Sequence, residues 1–245
     1  MKLDSPSLQA LQAVFLDDEE SVNAFIKAVS QPRFSRYLKA CRGNKREVID
    51  LYLPNSKLSQ SLYLLIQIWE VCLRNKLNDF LCWKYNGSWP KDTRLQRNLT
   101  ANDRRRLNEA ITRQSEARKV PHPPTGAIVA DLSAGFWVSL LAKSYDVPFS
   151  WRYNLSQVYP HAAGIKRAEA SDICSALLDL RNRIAHHEPI YHLDLALLKR
   201  QLDEQIEGMC RASAAFAAHA CTFAHHWTIL SQTGAPAPPS SENSN

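Results

Sequence analysis

The 245-residue chain is 45% hydrophobic with a formal net charge of +6, enough apolar content to bury a sizeable core, and its bias toward polyanions is compatible with RNA without deciding for it. No run approaches the eighteen or so apolar residues of a membrane span, and MKLDSPSLQALQAV lacks the basic flank and cleavage site of a signal peptide, so no membrane association and a cytoplasmic location are predicted. The six cysteines, Cys41, Cys72, Cys82, Cys174, Cys210 and Cys221, form no CxxC pair and sit in apolar helical patterns, which speaks against a disulfide framework or a zinc ribbon.

Only seven glycines punctuate the chain, and apolar residues recur at three or four positions rather than two, so the fold class is all-α. Amphipathic helices are predicted near 6–16, 19–29, 32–41 and 45–52. Pro54-Asn55-Ser56 then reads as a break, with Ser56 as an N-cap. From 57 to 84, Leu58, Leu62, Leu65, Ile66, Trp69, Leu73, Leu77 and Phe80 step along one face of a long core helix.

Beyond the turn YNGSWP, Thr100 and Asp103 form the N-cap and capping-box pair of a charged helix near 101–118. KVPHPPTG is a connector, and DLSAGFWVSLLAKSYD predicts a buried helix ended by Pro148. Trp137, Trp151 and Tyr153 read as core or hinge aromatics rather than base-stacking platforms. Two more helices are predicted at about 165–187 and 193–230, followed by a tail too polar and Pro-rich to pack. The expected domains are an N-terminal helical region over 1–55 packing on a core, a helical core domain over 56–230 and a disordered tail over 231–245. No repeat occurs at a solenoid period.

The segment IKRAEASDICSALLDLRNRIAHHEPIY carries the candidate chemistry. Ile173, Leu177, Leu180 and Ile184 form its apolar stripe, and Glu188-Pro189 forces an end because a residue before proline avoids the α region. Asn182 and His186 share one face, whereas Arg181 and His186 diverge by roughly 140° on a straight helix. Either the helix loosens before Pro189, or two copies meet about a twofold axis so that Arg and His of both chains converge. An always-charged, planar Arg181 suits a phosphate, and unsatisfied helix carbonyls favour a protonated His186.

An Arg, a polar residue, three further residues and a His resemble the signature of HEPN domains, and LRNRIAHHEPI is similar to the version in Abi-like (abortive infection) proteins. YLPNSKLSQSLYLLIQIWEVCLRNKL resembles that family's long first helix with its E-x-x-x-R-N segment, and DLSAGFWVSLL its buried G-F-W helix. The resemblance covers roughly 45 to 195. It implies a HEPN-like helical bundle with extra N-terminal helices and a long C-terminal helix.

It also implies a metal-independent endoribonuclease, without cofactor, acting in antiphage defence or as a toxin. RNA would be cut by 2′-hydroxyl attack at a composite homodimer site. Arg181, Asn182 and His186 would be catalytic, with Glu70, Arg74 and His187 in support. Glu70 would pair with Arg74 one turn away or reach Arg181. An antitoxin or a regulatory noncoding RNA would be a further partner.

Simpler accounts stand beside these. Arg181 reads as an arginine pinned by Glu70 or Asp179, and His186 and His187 as cationic C-caps. Neither His186-His187-Glu188 with His192 nor His219, Cys221, His225 and His226 has the spacing of a common zinc site, so no metal is expected. Between 91 and 119 nine Lys/Arg face four Asp/Glu, making Arg104, Arg105 and Arg106 candidate phosphate contacts, with Lys166 and Arg167 as further RNA-binding candidates. The alternative function is a noncatalytic module that holds a structured noncoding RNA.

Overall fold

The structure is a computed structural model and describes Phe15 and residues 18–232. Every regular element among them is helical, and no helix is long and apolar enough to cross a membrane. The helix expected near 6–16 and the tail from 233 lie outside the described residues.

The α-helices are α1 (Glu19–Val29), α2 (Gln31–Ala40), α3 (Lys45–Tyr85), α4 (Thr93–Asn98), α5 (Ala101–Arg118), α6 (Thr125–Asp131), α7 (Ala134–Ser139), α8 (Asp146–Phe149), α9 (Trp151–Val158), α10 (Arg167–Ala185), α11 (Leu195–Met209), α12 (Arg211–Ala220) and α13 (Phe223–Gln232). They divide into two compact units. Of the described residues, the smaller takes those up to Leu62, Arg183–Leu195 and those from Thr222 to Gln232; the larger takes Tyr63–Asn182 and Ala196–Cys221.

In the smaller unit the predicted break at Pro54 does not occur, and α3 runs through it as one helix. Pro54 withholds a donor from the carbonyl of Asp50, a solvent-exposed residue. Ser56 is not an N-cap; its hydroxyl donates to the Tyr52 carbonyl at 2.9 Å. Asn55 makes the decisive contact. Its buried side-chain oxygen accepts the backbone N–H of Ile190 at 2.8 Å and of Tyr191 at 3.0 Å. Tyr37 packs on Tyr191 with ring centroids 5.4 Å apart.

The larger unit is built on the apolar face of α3 from Leu65 onward. Every residue predicted to form that face, Leu58 and Leu62 in the smaller unit and Leu65 to Phe80 in the larger, is at most 1% exposed. Phe80 lies 4.6 Å from the Trp151 ring and 5.6 Å from that of Phe149, and the Trp151 indole donates to the Leu140 carbonyl at 2.9 Å. Trp137 and Trp151 are core residues, but Tyr153 is 74% exposed. Two residues on from the buried Trp151, it falls on the opposite side of α9.

Two predicted helices are corrected. DLSAGFWVSLLAKSYD does not form a single helix: α6 ends at the extended Leu132, Ser133 is extended before α7, and Pro148 lies inside the short α8, where a missing first-turn N–H costs nothing. The long helix over 193–230 is three. Cys210 is extended, with φ −159°. A second break falls at Cys221, after which the Thr222 carbonyl accepts from His226 to start α13, and its hydroxyl meets that of Ser61 at 2.9 Å.

Candidate active site

Helix α10 forms because Ala170, Cys174, Leu177, Leu180 and Ile184 bury one stripe, with Ile173 only half-buried beside it. Cys174 packs as a core thiol, its pKa pushed up to about 12 by burial. Arg181, one turn on from the buried Leu177, continues that side of the helix toward α3, and Asn182 stands roughly 100° further round, both at the end of the larger unit's segment. Arg181 Nε donates to Glu70 Oε2 at 3.2 Å, with side-chain exposures of 37% and 29%. Arg181 Nη1 makes a long contact of 3.5 Å to Asn182 Oδ1. The guanidinium is thus oriented through one edge, and its terminal nitrogens keep most of their donor capacity among the described residues.

No ion pair joins Glu70 to Arg74 among the described residues; Glu70 is used by Arg181. Arg74 Nε is buried without a hydrogen-bond partner. A buried charged donor left unmatched is costly and rare in folded proteins.

The smaller unit holds the rest of the motif. The helix ends at Ala185, and the chain stops it with a Schellman arrangement: Glu188 N–H donates to the Arg183 carbonyl at 2.8 Å and His187 N–H to the Ile184 carbonyl at 3.0 Å. His187 takes the left-handed position, φ 57°, that glycine usually fills. His186 is the solvent-exposed residue between helix and turn.

Sequence reasoning missed two arginines here. Arg33 Nη1 of α2 donates to the His186 carbonyl at 3.2 Å. Arg36 stands near His192, since burial first, then the charges of Arg183 and Arg36, hold the His192 pKa below its ordinary value. Arg183 is partly neutralised by Glu188 at 3.2 Å. Arg33 lies 153 positions before His186, so nothing local in RFSRY announces the contact.

The other basic candidates lie elsewhere. On α5, Arg104 donates to the Leu99 carbonyl at 3.0 Å, Arg105 pairs with Glu109 at 2.7 Å and Arg106 with Asp103 at 3.4 Å. Asp103 is buried and accepts from Thr100, Ser139 and Tyr145 at 2.8, 2.8 and 2.6 Å, and together with burial it raises the Tyr145 pKa to about 12. Thr100 is the expected N-cap, its hydroxyl accepting the Asp103 N–H at 3.2 Å, but the reciprocal bond of a capping box is not made: the Thr100 N–H donates to the Tyr145 hydroxyl at 3.2 Å, and the Asp103 carboxylate anchors the fold instead. Lys166 and Arg167 stand at the start of α10, roughly 20 Å of helix from Arg181 at about 1.5 Å per residue. Among the described residues no three His, Cys, Asp or Glu side chains are grouped to hold a metal ion.

A model of the Abi-like protein family matches residues 21–192. The chain belongs to the Abi-like family. The match starts within α1, further upstream than the resemblance drawn from residue 45, so Arg33 and Arg36 of this Abi-like protein fall inside the family's span together with Glu70, Arg181 and His186. Helices α11 to α13 follow it. No curated protein and no solved structure matches the Abi-like chain.

Proposed function

We propose that this Abi-like protein is a HEPN-type endoribonuclease of abortive infection, cutting RNA without a metal at a site completed by a second copy of the chain. The supporting observation is Arg181: its guanidinium is held by Glu70 through Nε at 3.2 Å, which orients the terminal nitrogens for a phosphate.

In the reaction the RNA 2′-oxygen bonds to the adjacent phosphorus and the bond from phosphorus to the 5′-oxygen breaks. A base takes the 2′-hydroxyl proton and an acid returns one to the leaving oxygen, giving a 2′,3′-cyclic phosphate and a 5′-hydroxyl. His186 serves as one of these proton carriers, with its counterpart from the second copy. Arg181 binds the non-bridging oxygens and stabilises their growing charge, and Asn182 orients the histidine.

Purified protein incubated with a mixed RNA pool tests this. Cleavage indifferent to EDTA and abolished in both Arg181→Ala and His186→Ala supports it; cleavage surviving both substitutions overturns it. The grouping of Arg33, Arg36 and Arg183 in the smaller unit favours the second reading, a module that holds RNA without cutting it. Salt-sensitive RNA retention with intact RNA after long incubation would decide for that reading.

A further inference from the structure

In the larger unit, between α9 and the start of α10, lies an open cleft of about 690 Å³. Its floor is fixed. The Tyr159 hydroxyl, fully buried, donates to Gln205 Oε1 at 2.6 Å, and His161 N–H donates to the Gly208 carbonyl at 3.0 Å. A Cβ on Gly208 would stand 3.0 Å from the Ala162 Cβ and 3.4 Å from the Tyr159 ring, so the loop is pressed onto the α11 backbone. The wall beside it is tied by Arg167 to Asp146 at 3.0 Å. The cleft is preformed.

Its remaining lining is chemically selective. Arg152 and Lys166 both line it, and among the described residues neither has a carboxylate within ion-pair distance, whereas Arg167 is neutralised by Asp146. Tyr153 also lines it, largely exposed, with the Arg152 guanidinium 5.7 Å from its ring centroid. An exposed ring beside two unmatched cations fits a ligand that is flat, aromatic and anionic together.

We propose that this cleft binds a nucleotide, its base stacked on Tyr153 and its phosphate held by Arg152 and Lys166. The nucleotide is either one residue of a single-stranded RNA or a free mononucleotide. The proposal needs none of the chemistry at Arg181 or His186, so its failure and the failure of the nuclease reading are separate events.

The test is fluorescence anisotropy of the full chain with a labelled 2′-O-methyl oligonucleotide, which lacks the attacking hydroxyl, and competition by AMP. Tyr153→Ala should weaken oligonucleotide binding roughly tenfold, and Tyr153→Phe should retain it. Arg152→Gln with Lys166→Gln should weaken it and flatten the log–log salt dependence by about 0.7, the contribution of one phosphate on a single strand. Competition by AMP assigns the cleft to a free nucleotide as well; its absence assigns the cleft to an RNA strand. Oligonucleotide affinity unchanged in these variants, each confirmed folded by circular dichroism, or no binding of either probe, overturns the proposal.

Discussion

Glu70, on the core helix α3, accepts a hydrogen bond from Arg181 Nε on α10 at 3.2 Å, within the larger unit and across 111 positions of sequence. Both side chains are partly exposed, so the pair adds little to stability and its consequence is orientation. Glu70→Gln should therefore lower RNA cleavage about tenfold or more, with an unfolding free energy within about 1 kcal/mol of the parent. Initial rates and denaturant curves on the same preparations check it; equal losses in both would reduce Glu70 to a structural residue.

Arg33 holds the carbonyl of His186 from an exposed position, so its removal should disturb the histidine more than the fold. Arg33→Ala should slow cleavage several-fold while costing under about 1 kcal/mol, with Arg33→Lys recovering part of the rate. Unchanged kinetics in Arg33→Ala would make the contact incidental.

Asn55 carries a heavier structural role. Its buried oxygen is the acceptor for two backbone N–H groups, those of Ile190 and Tyr191. Asn55→Ala leaves both without that acceptor and should destabilise the protein by about 2–4 kcal/mol, measured by urea unfolding. A loss below about 0.5 kcal/mol would mean that the 190–191 segment is held by other contacts.

His192 sets a pH dependence. Its pKa is lowered by burial and by Arg183 and Arg36, so the unfolded chain takes up the proton first as pH falls. The stability contributed by the neutral ring is complete above the unfolded value near 6.5 and is lost as pH drops through the depressed folded value. Thermal unfolding from about pH 7 to 5 should show a steeper decline for the parent than for His192→Gln. Parallel curves would count against it.

Much of this was legible in the chain itself. Three-to-four spacing exposed the core face of α3, Thr100 and Asp103 announced their cap, and the Arg181–His186 run stood out at the end of an amphipathic helix. Pro54 misled because proline marks a helix end only where nothing compensates; Asn55, read as part of that break, binds residues 190 and 191 instead. The segment 193–230 looked continuous because Cys210 and Cys221 fit an apolar pattern, and periodicity does not register an extended backbone at one residue. Arg33 was invisible for a different reason: its partner is a carbonyl, which has no sequence signature.

The most direct measurement is the chemical identity of the new 3′ ends on RNA treated with the purified protein in EDTA. The parent protein should leave 2′,3′-cyclic phosphates, and Arg181→Ala and His186→Ala should leave no new ends. New ends bearing 3′-hydroxyls, or cyclic phosphates persisting in both variants, would rule out the proposed nuclease.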